Sequence, residues 1–393
     1  MWNRAGVGVI VAMLAAGCAA PASSPVAVQA PLPGGAVTWL DAEFRHDPAL
    51  VAVTPANLFK LDPSLQQRLD DPSIRAAPVG LRLKRILDTI FGVDRKGFAY
   101  RAGHSTTAAE TWRSRGGDCL SLTVMTYSVA RTLGMSANMQ EVQTPAIFGR
   151  AGELDVVNQH VNVVFPHIRG DLFVESVAHE VVIDFEPDFS APRRGTPLTE
   201  AGIVARYYNN VAVEHMARGD DAVAYAHFRA AVRADPTYVS PYSNLAVLYR
   251  RFGYEKPAED LLRHAIATGG GATDVALHEL HRLLKDQGRT AEATEVALRL
   301  EARQASDPYH WISLALLDLQ QDSPRRAIER LERAKEIAPG FAEVHRYLAL
   351  AYGRTGNVLK AREELAALEN LGGAMNKVAL LRRKLERLEG AAH

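Results

Sequence analysis

Cysteine is nearly absent from this chain: 393 residues contain two, Cys18 and Cys119. Two thiols so far apart build neither a disulfide framework nor a metal site of several thiolates, so each needs its own explanation. An excess of charge is missing as well. Forty-five Lys and Arg face forty-five Asp and Glu, which leaves no net positive charge to neutralise a phosphate backbone and excludes nucleic acid as a partner of the chain as a whole. No apolar run reaches the ~20 residues that a membrane-spanning helix needs. No oxygen-rich loop of the EF-hand kind appears, and nothing in the pattern calls for a metal or cofactor. What remains is 47% apolar and 23% charged residues, a balance that folds as soluble domains, two or three of them at roughly 150 residues each.

The first cysteine reads as an address. Arg4 precedes a small and apolar run, Ala5 to Ala16, too short at about 1.5 Å per residue to cross ~30 Å of hydrocarbon and of the kind found in secretory leaders. The run ends in Leu14-Ala15-Ala16-Gly17-Cys18, which resembles the bacterial lipobox with its leucine one place early. The resemblance implies cleavage before Cys18 and acylation of its thiol and new amino group, with two or more chains giving a stable anchor. Ala19 follows the cysteine where enterobacterial lipoproteins held at the inner membrane carry Asp, so the outer membrane, facing the periplasm, is the expected address. From Ala19 to Gly35 the chain is Ala, Pro, Ser and Val without charge or helical period, the composition of a semi-extended tether. Residues 1–17 are therefore expected to be a leader and 18–37 a lipidated tether.

The last half repeats itself. A small residue recurs at Ala224, Ala258, Ala293, Ala327 and Ala361, at spacings of 34, 35, 34 and 34, and Gly219, Gly253, Gly288 and Gly356 follow the same period. Large residues match between them: Phe228, Leu262, Leu331 and Leu365, with Tyr249 and Tyr352 on the preceding helices and Pro236 and Pro339 closing two units. Each unit reads as two amphipathic helices whose glycine allows the turn and whose alanine lets the helices approach. Departures are Asp322 at the turn of the fourth unit, Ala297 for the large residue of the third, and Gly270 where the second would carry proline. The array resembles five tetratricopeptide repeats over residues 201–371, and 372–393 reads as a solvated capping helix and tail. The resemblance implies a protein or peptide partner held on the concave side. His278 and His281 stand at i, i+3, lack a third ligand at a useful spacing, and read as surface histidines.

Residues 38–200 carry the second cysteine. Thr107 and Glu110 form a capping-box pattern for a short helix through Trp112, a core residue by its pattern, with Gly116-Gly117 as its stop and Asp118 free to cap the next helix. That helix is expected from Cys119 to Leu133, with Leu122, Met125, Val129 and Leu133 on the buried face and Gly134 ending it. A thiolate in its first turn is stabilised by free amide groups and the positive end of the helix dipole. Strand patterns follow at 138–143, 159–165, 172–176 and 181–185; in the second, Val161, Val163 and Phe165 face one way and His160 and Asn162 the other. Taken alone, Cys119 reads equally as a small buried hydrophobe and His160 as a satisfied sheet residue.

Taken together, the glycine turn, a cysteine opening a buried helix, a strand histidine and a strand aspartate are similar to the transglutaminase-like superfamily of papain-type cysteine enzymes. The resemblance implies an α+β domain with Cys119 as nucleophile, His160 as base and Asp184 as the orienting residue. The stretch Thr106 to Glu110 with Gly117 to Leu122, and Tyr207-Tyr208-Asn209-Asn210 at the start of the repeats, is similar to bacterial members with repeats attached. Asn162 stands where the family often has an aromatic residue, and Val181 and Val182 where it often has tryptophan; Asp171, Glu175 and Asp188 are the substitutes for Asp184 in the same region. The expected chain is an α+β transglutaminase-like domain followed by an all-α solenoid. It is either a cysteine peptidase, amidase or acyltransferase working through a thioester, or a non-catalytic envelope adaptor whose cysteine domain is degenerate.

Overall fold

The computed structural model describes residues 10–14, 37–91, 98–101, 103–142, 148–151, 154–157, 160–168, 179–185, 195–269, 273–371 and 382. Cys18, the tether, Asp171, Glu175, Asp188, Gly270 and the capping helix expected after Gly372 lie outside these residues, as does the strand expected at 172–176. The chain divides into two compact units, and residues 37–142, 160–185 and 195–300 belong to the first.

The first unit opens with short helices α1 (Pro55–Leu58), α2 (Pro63–Leu69) and α3 (Pro72–Arg75), each with proline at its start and a Thr or Asp side chain capping it. Then come α4 (Val79–Phe91), α5 (Ala108–Ser114) and α6 (Cys119–Thr132). Strands β1 (Ile10–Leu14), β2 (Ala99–Tyr100), β3 (Gly116–Gly117) and β4 (Asn138–Val142) precede a hairpin of β5 (Phe148–Ala151) and β6 (Leu154–Val157), which belongs to the second unit. They are followed by β7 (His160–Ile168), β8 (His179–Asp184) and β9 (Thr196–Leu198). The main sheet has the order β1-β8-β7-β4-β9 and is antiparallel throughout. β1 falls inside the apolar run expected to be a cleaved leader, with Ile10 opposite Asp184 and Leu14 opposite Glu180.

Helix α6 packs on this sheet, and Leu122, Met125, Val129, Val163, Phe165 and Ile183 share one core with α4 and α5. On β7 the apolar and polar residues alternate as expected, and both faces are buried. His160 and Asn162 are as buried as Val161 and Val163, so the polar side of the strand faces an interior site and not water. Helix α5 also ends differently: Arg115, not a glycine, takes the left-handed conformation at φ 52°, and its N–H donates to the carbonyls of Thr111 and Trp112. Its guanidinium lies over Trp112, which is buried and donates Nε1–H to Ser64 Oγ at 2.8 Å.

Three helix pairs follow, α7 (Glu200–Arg218) with α8 (Asp221–Ala234), α9 (Ser240–Arg251) with α10 (Glu255–Thr268), and α11 (Thr273–Asp286) with α12 (Thr290–Ala305), and the first unit ends at Leu300 within α12. The second unit holds α13 (Pro308–Gln320) with α14 (Pro324–Ile337) and α15 (Ala342–Arg354) with α16 (Val358–Asn370). These are the tandem helix pairs of a tetratricopeptide-like array. Ala224, Ala258, Ala293, Ala327 and Ala361 are all buried, as are Phe228, Leu262, Leu331 and Leu365. In the third pair, where Ala297 replaces the large residue, the neighbouring Val296 is the buried side chain. His281 uses its ring to bond the Ala293 carbonyl at 2.9 Å, and His278 is exposed. In the second unit His345 sits between the Glu364 carboxylate at 2.6 Å and the Pro339 carbonyl at 2.8 Å. Bonding to Glu364 outweighs the cost of its burial and raises its pKa. No helix among the described residues is long and apolar enough to cross a membrane.

The turn glycines of the array all adopt positive φ, and Asp322 does the same at φ 53° in the fourth unit. A side chain in that conformation costs energy that glycine avoids, offset in part by glycine's larger unfolded entropy. Asp322→Gly should therefore stabilise the chain by about 0.5–1 kcal/mol, read as a higher urea midpoint at unchanged slope; an unchanged or lower midpoint would show that Asp322 is not strained.

Candidate active site

Cys119 enters the site because Asp118 caps α6. One carboxylate oxygen, Oδ1, accepts from Ser121 N at 2.7 Å and from Ser121 Oγ at 2.6 Å, and the other accepts from Ser105 Oγ at 2.5 Å. Burial pushes the Asp118 carboxyl above the usual carboxylate range, against the bonds from Ser105 and Ser121. The glycine before it is required by close approach: a Cβ on Gly117 would stand 2.6 Å from Ser121 Cβ. Thr106 N donates to Ser121 Oγ at 2.8 Å, closing the loop before α5 onto the first turn of α6.

β7 and β8 supply the other two residues. His160 is the first residue of β7, and its Nε2–H donates to Asp184 Oδ1 at 2.6 Å. Asn162, on the same side of the strand, donates Nδ2–H to Asp184 Oδ2 at 3.0 Å, so both carboxylate oxygens are engaged. Cys119 lies beside the same imidazole and acts with Asp184 to raise its pKa. With Nε2 committed to Asp184, Nδ1 is the ring nitrogen left to face the thiol. The structure thus brings Cys119, His160 and Asp184 into one buried line, at 3%, 1% and 7% exposure. Burial works against a charged imidazole, but the Asp184 carboxylate beside it, aided by Cys119, pushes the His160 pKa up to about 10. Raised in this way, the ring holds a proton that it can give.

Two features of the site have no sequence signature of their own. Asn162, noted only as a departure from the family's aromatic residue, is the second donor to Asp184. Asn210 of α7 donates Nδ2–H to Ser105 Oγ at 2.9 Å, and Ser105 in turn donates to Asp118. The Tyr207-Tyr208-Asn209-Asn210 stretch is the clue that could have found it. A cleft of about 630 Å³ opens beside this relay, lined by residues including His104, Glu110, Arg113, Tyr207, Glu214 and Arg218. Glu214 crosses it to accept from Ser105 N at 3.0 Å and to meet His104 Nδ1 at 3.1 Å. The triad lies outside its lining. Among the described residues no cluster of His, Cys, Asp and Glu could hold a metal ion.

No known family profile matches the chain. Cellulose synthase operon protein C of Komagataeibacter sucrofermentans is 32% identical over 129 residues, 30% of this chain and 9% of that protein. The protein of the same name from Komagataeibacter xylinus matches at the same identity and coverage. The chain thus spans less than a tenth of the length of these curated relatives. Among solved structures, Pseudomonas aeruginosa PilF is 21% identical, covering 49% of this chain and 87% of that one, with a TM-score of 0.26. YrrB, described as a TPR protein with an unusual peptide-binding site, is 17% identical, covering 46% and 92%, with a TM-score of 0.25.

The charge on His160 has a thermodynamic consequence. A histidine whose folded pKa is raised to about 10 from 6.5 contributes stability that is complete below about pH 6.5 and disappears as pH rises through about 10. The melting temperature of His160→Gln should therefore fall furthest below wild type at pH 6 and below, and the gap should close towards about pH 10. A gap that is constant with pH would mean that the imidazole beside Asp184 is neutral.

Proposed function

We propose that the chain is a lipid-anchored envelope protein whose helix pairs hold a protein or peptide partner. The supporting observation is the recurrence itself: every pair buries its repeated alanine, and four of the five bury a large apolar residue at the matching position, a construction that leaves outer faces for a polypeptide. The anchor rests on Leu14-Ala15-Ala16-Gly17-Cys18, and the outer membrane is the address that Ala19 favours. If this is right, the full-length chain made in a bacterial host takes up a fatty-acid analogue, and Cys18→Ser does not. A wild-type chain without label would remove the anchor from the proposal.

A second reading is favoured by one specific arrangement, the Cys119–His160–Asp184 line with Asn162 behind it. In this reading the chain also performs acyl transfer, in the manner of the transglutaminase-like superfamily. The Cys119 thiolate attacks an amide carbonyl, forming the C–S bond, and the oxyanion is met by the amides at the start of α6. The C–N bond breaks as the His160 imidazolium protonates the departing amine. Water then gives its proton to His160 and its oxygen to the carbonyl, the C–S bond breaks, and the acid leaves with the thiol restored. An amine in place of water yields transfer. Asp184, held at both oxygens, keeps the imidazole turned towards the thiol.

One measurement separates the readings. In the acyl-transfer reading, iodoacetamide modifies Cys119 of the folded wild type at about neutral pH, and His160→Ala slows that modification by roughly tenfold or more. Asp184→Asn has a smaller effect, since an orienting residue carries no proton. A thiol inert until the protein unfolds, or indifferent to His160, leaves partner binding as the function.

A further inference from the structure

The segment Thr38–His46 contains no helix or strand, yet it is bound to helices whose residues lie some two hundred positions away. Its contacts have the form of peptide recognition. Tyr249 reads the backbone with one hydroxyl, donating to the Thr38 carbonyl at 3.0 Å and accepting from Leu40 N at 3.3 Å. Asp41 is read as a carboxylate: Tyr225 donates its hydroxyl to Oδ1 at 2.7 Å, and Arg229 pairs with the same oxygen. The Arg229 guanidinium also lies over the Trp39 ring, 4.7 Å from its centroid. Phe44 enters an aromatic socket, stacked on Tyr225 at 4.8 Å and Tyr249 at 5.6 Å and edge-on to Phe252 at 5.2 Å, with Tyr254 at 6.3 Å.

Two facts distinguish this from ordinary core packing. Phe44 alone in the segment is buried, at 4% exposure, while Thr38, Asp41, Ala42, Glu43 and Arg45 are exposed. The segment also holds its own shape. Phe44 N bonds to Leu40 O at 3.1 Å and His46 N to Asp41 O at 2.8 Å, and Arg45 takes a left-handed φ of 49°. A tight turn with one aromatic anchor and one clamped carboxylate is pre-organised for docking and can leave as a unit.

The geometry points to a docking site on α8, α9 and the start of α10, built from Tyr225, Arg229, Tyr249, Phe252 and Tyr254. Its ligand is a turn carrying an acidic residue followed three positions later by an aromatic one. In this chain Trp39–Phe44 fills the site in cis as a releasable strap, and an outside segment of the same pattern competes with it. The inference does not depend on the chemistry of Cys119.

The test uses the full chain and a fluorescent peptide of residues 37–47. The peptide should saturate a Phe44→Ala/Asp41→Ala chain, whose socket has lost its occupant, and bind wild type roughly tenfold more weakly or less, since the strap is already in place. Adding Arg229→Ala to the emptied chain, or replacing Phe44 in the peptide by alanine, should abolish binding. Binding to neither chain, or equally to both, overturns the proposal. A second measurement covers the case in which the double variant does not fold. In wild type, hydrogen exchange at the amides of Leu40, Phe44 and His46 should proceed by local opening while α8 and α9 stay protected. Exchange of these amides only with global unfolding would make the segment a fixed part of the core and overturn the proposal as well.

Discussion

Helix α7 has no face to give to solvent over its first half. Residues 202–209 are all buried, more than two full turns, and they include Arg206 and Asn209 as well as Ile203, Val204, Tyr207 and Tyr208. A helix buried all round must be met on every side, and here each side is met by something different. Ile203, Val204, Tyr207 and Tyr208 join the core that contains α4, α5 and α6. Arg206 reaches β4, donating Nη2–H to Glu141 Oε2 at 2.9 Å, while Tyr208 donates its hydroxyl to the Val53 carbonyl at 2.8 Å. Asn209 accepts from Asn244 of α9 at 2.9 Å, and Asn210 holds Ser105. Adjacent asparagines, about 100° apart around the axis, thus serve the next helix pair on one side and the cap of the Cys119 helix on the other. The first helix of the array is at the same time a wall of the cysteine-bearing fold.

Much of this was legible in the residues because it is local. The capping box at Thr107, the Asp118 cap, the run of α6, and the recurrence of alanine and glycine follow from patterns only a few residues long or from a simple period. Cys119, His160 and Asp184 were legible as a set only through a family resemblance, since Cys119 and His160 taken alone read as buried packing residues. The misses share a cause too. The bond from Asn162 to Asp184 spans 22 residues and that from Asn210 to Ser105 spans 105. The docking of Thr38 on Tyr249 spans 211. No periodicity reports contacts of that range, which is also why residue 200 looks like a border in composition although the compact unit continues to Leu300.

The same economy appears at Asp118. One buried carboxyl, accepting from Ser105 and Ser121, terminates α6 and receives the far end of a bond chain that starts on α7. The thiol therefore stands on a first turn whose position is set by two distant segments. Local helix propensity has little say there, since nearly every residue of that turn is buried. A low-dielectric surrounding makes each of these bonds worth more and each omission more costly, so the arrangement is rigid where Cys119 is placed.

The pairing of Ile10–Leu14 with β8 sets the proposed leader against the sheet. These five residues lie within the run expected to leave with the leader, and they also complete the hydrogen-bond ladder of the strand that carries Asp184. In the lipid-anchored reading, leader removal and sheet closure compete for one stretch of chain, and the outcome depends on which is faster. If cleavage comes first, β8 becomes the border of the sheet, with a row of backbone donors and acceptors turned outward one strand from His160. If folding comes first, the leader is held in the sheet and lost to the enzyme that must cut it.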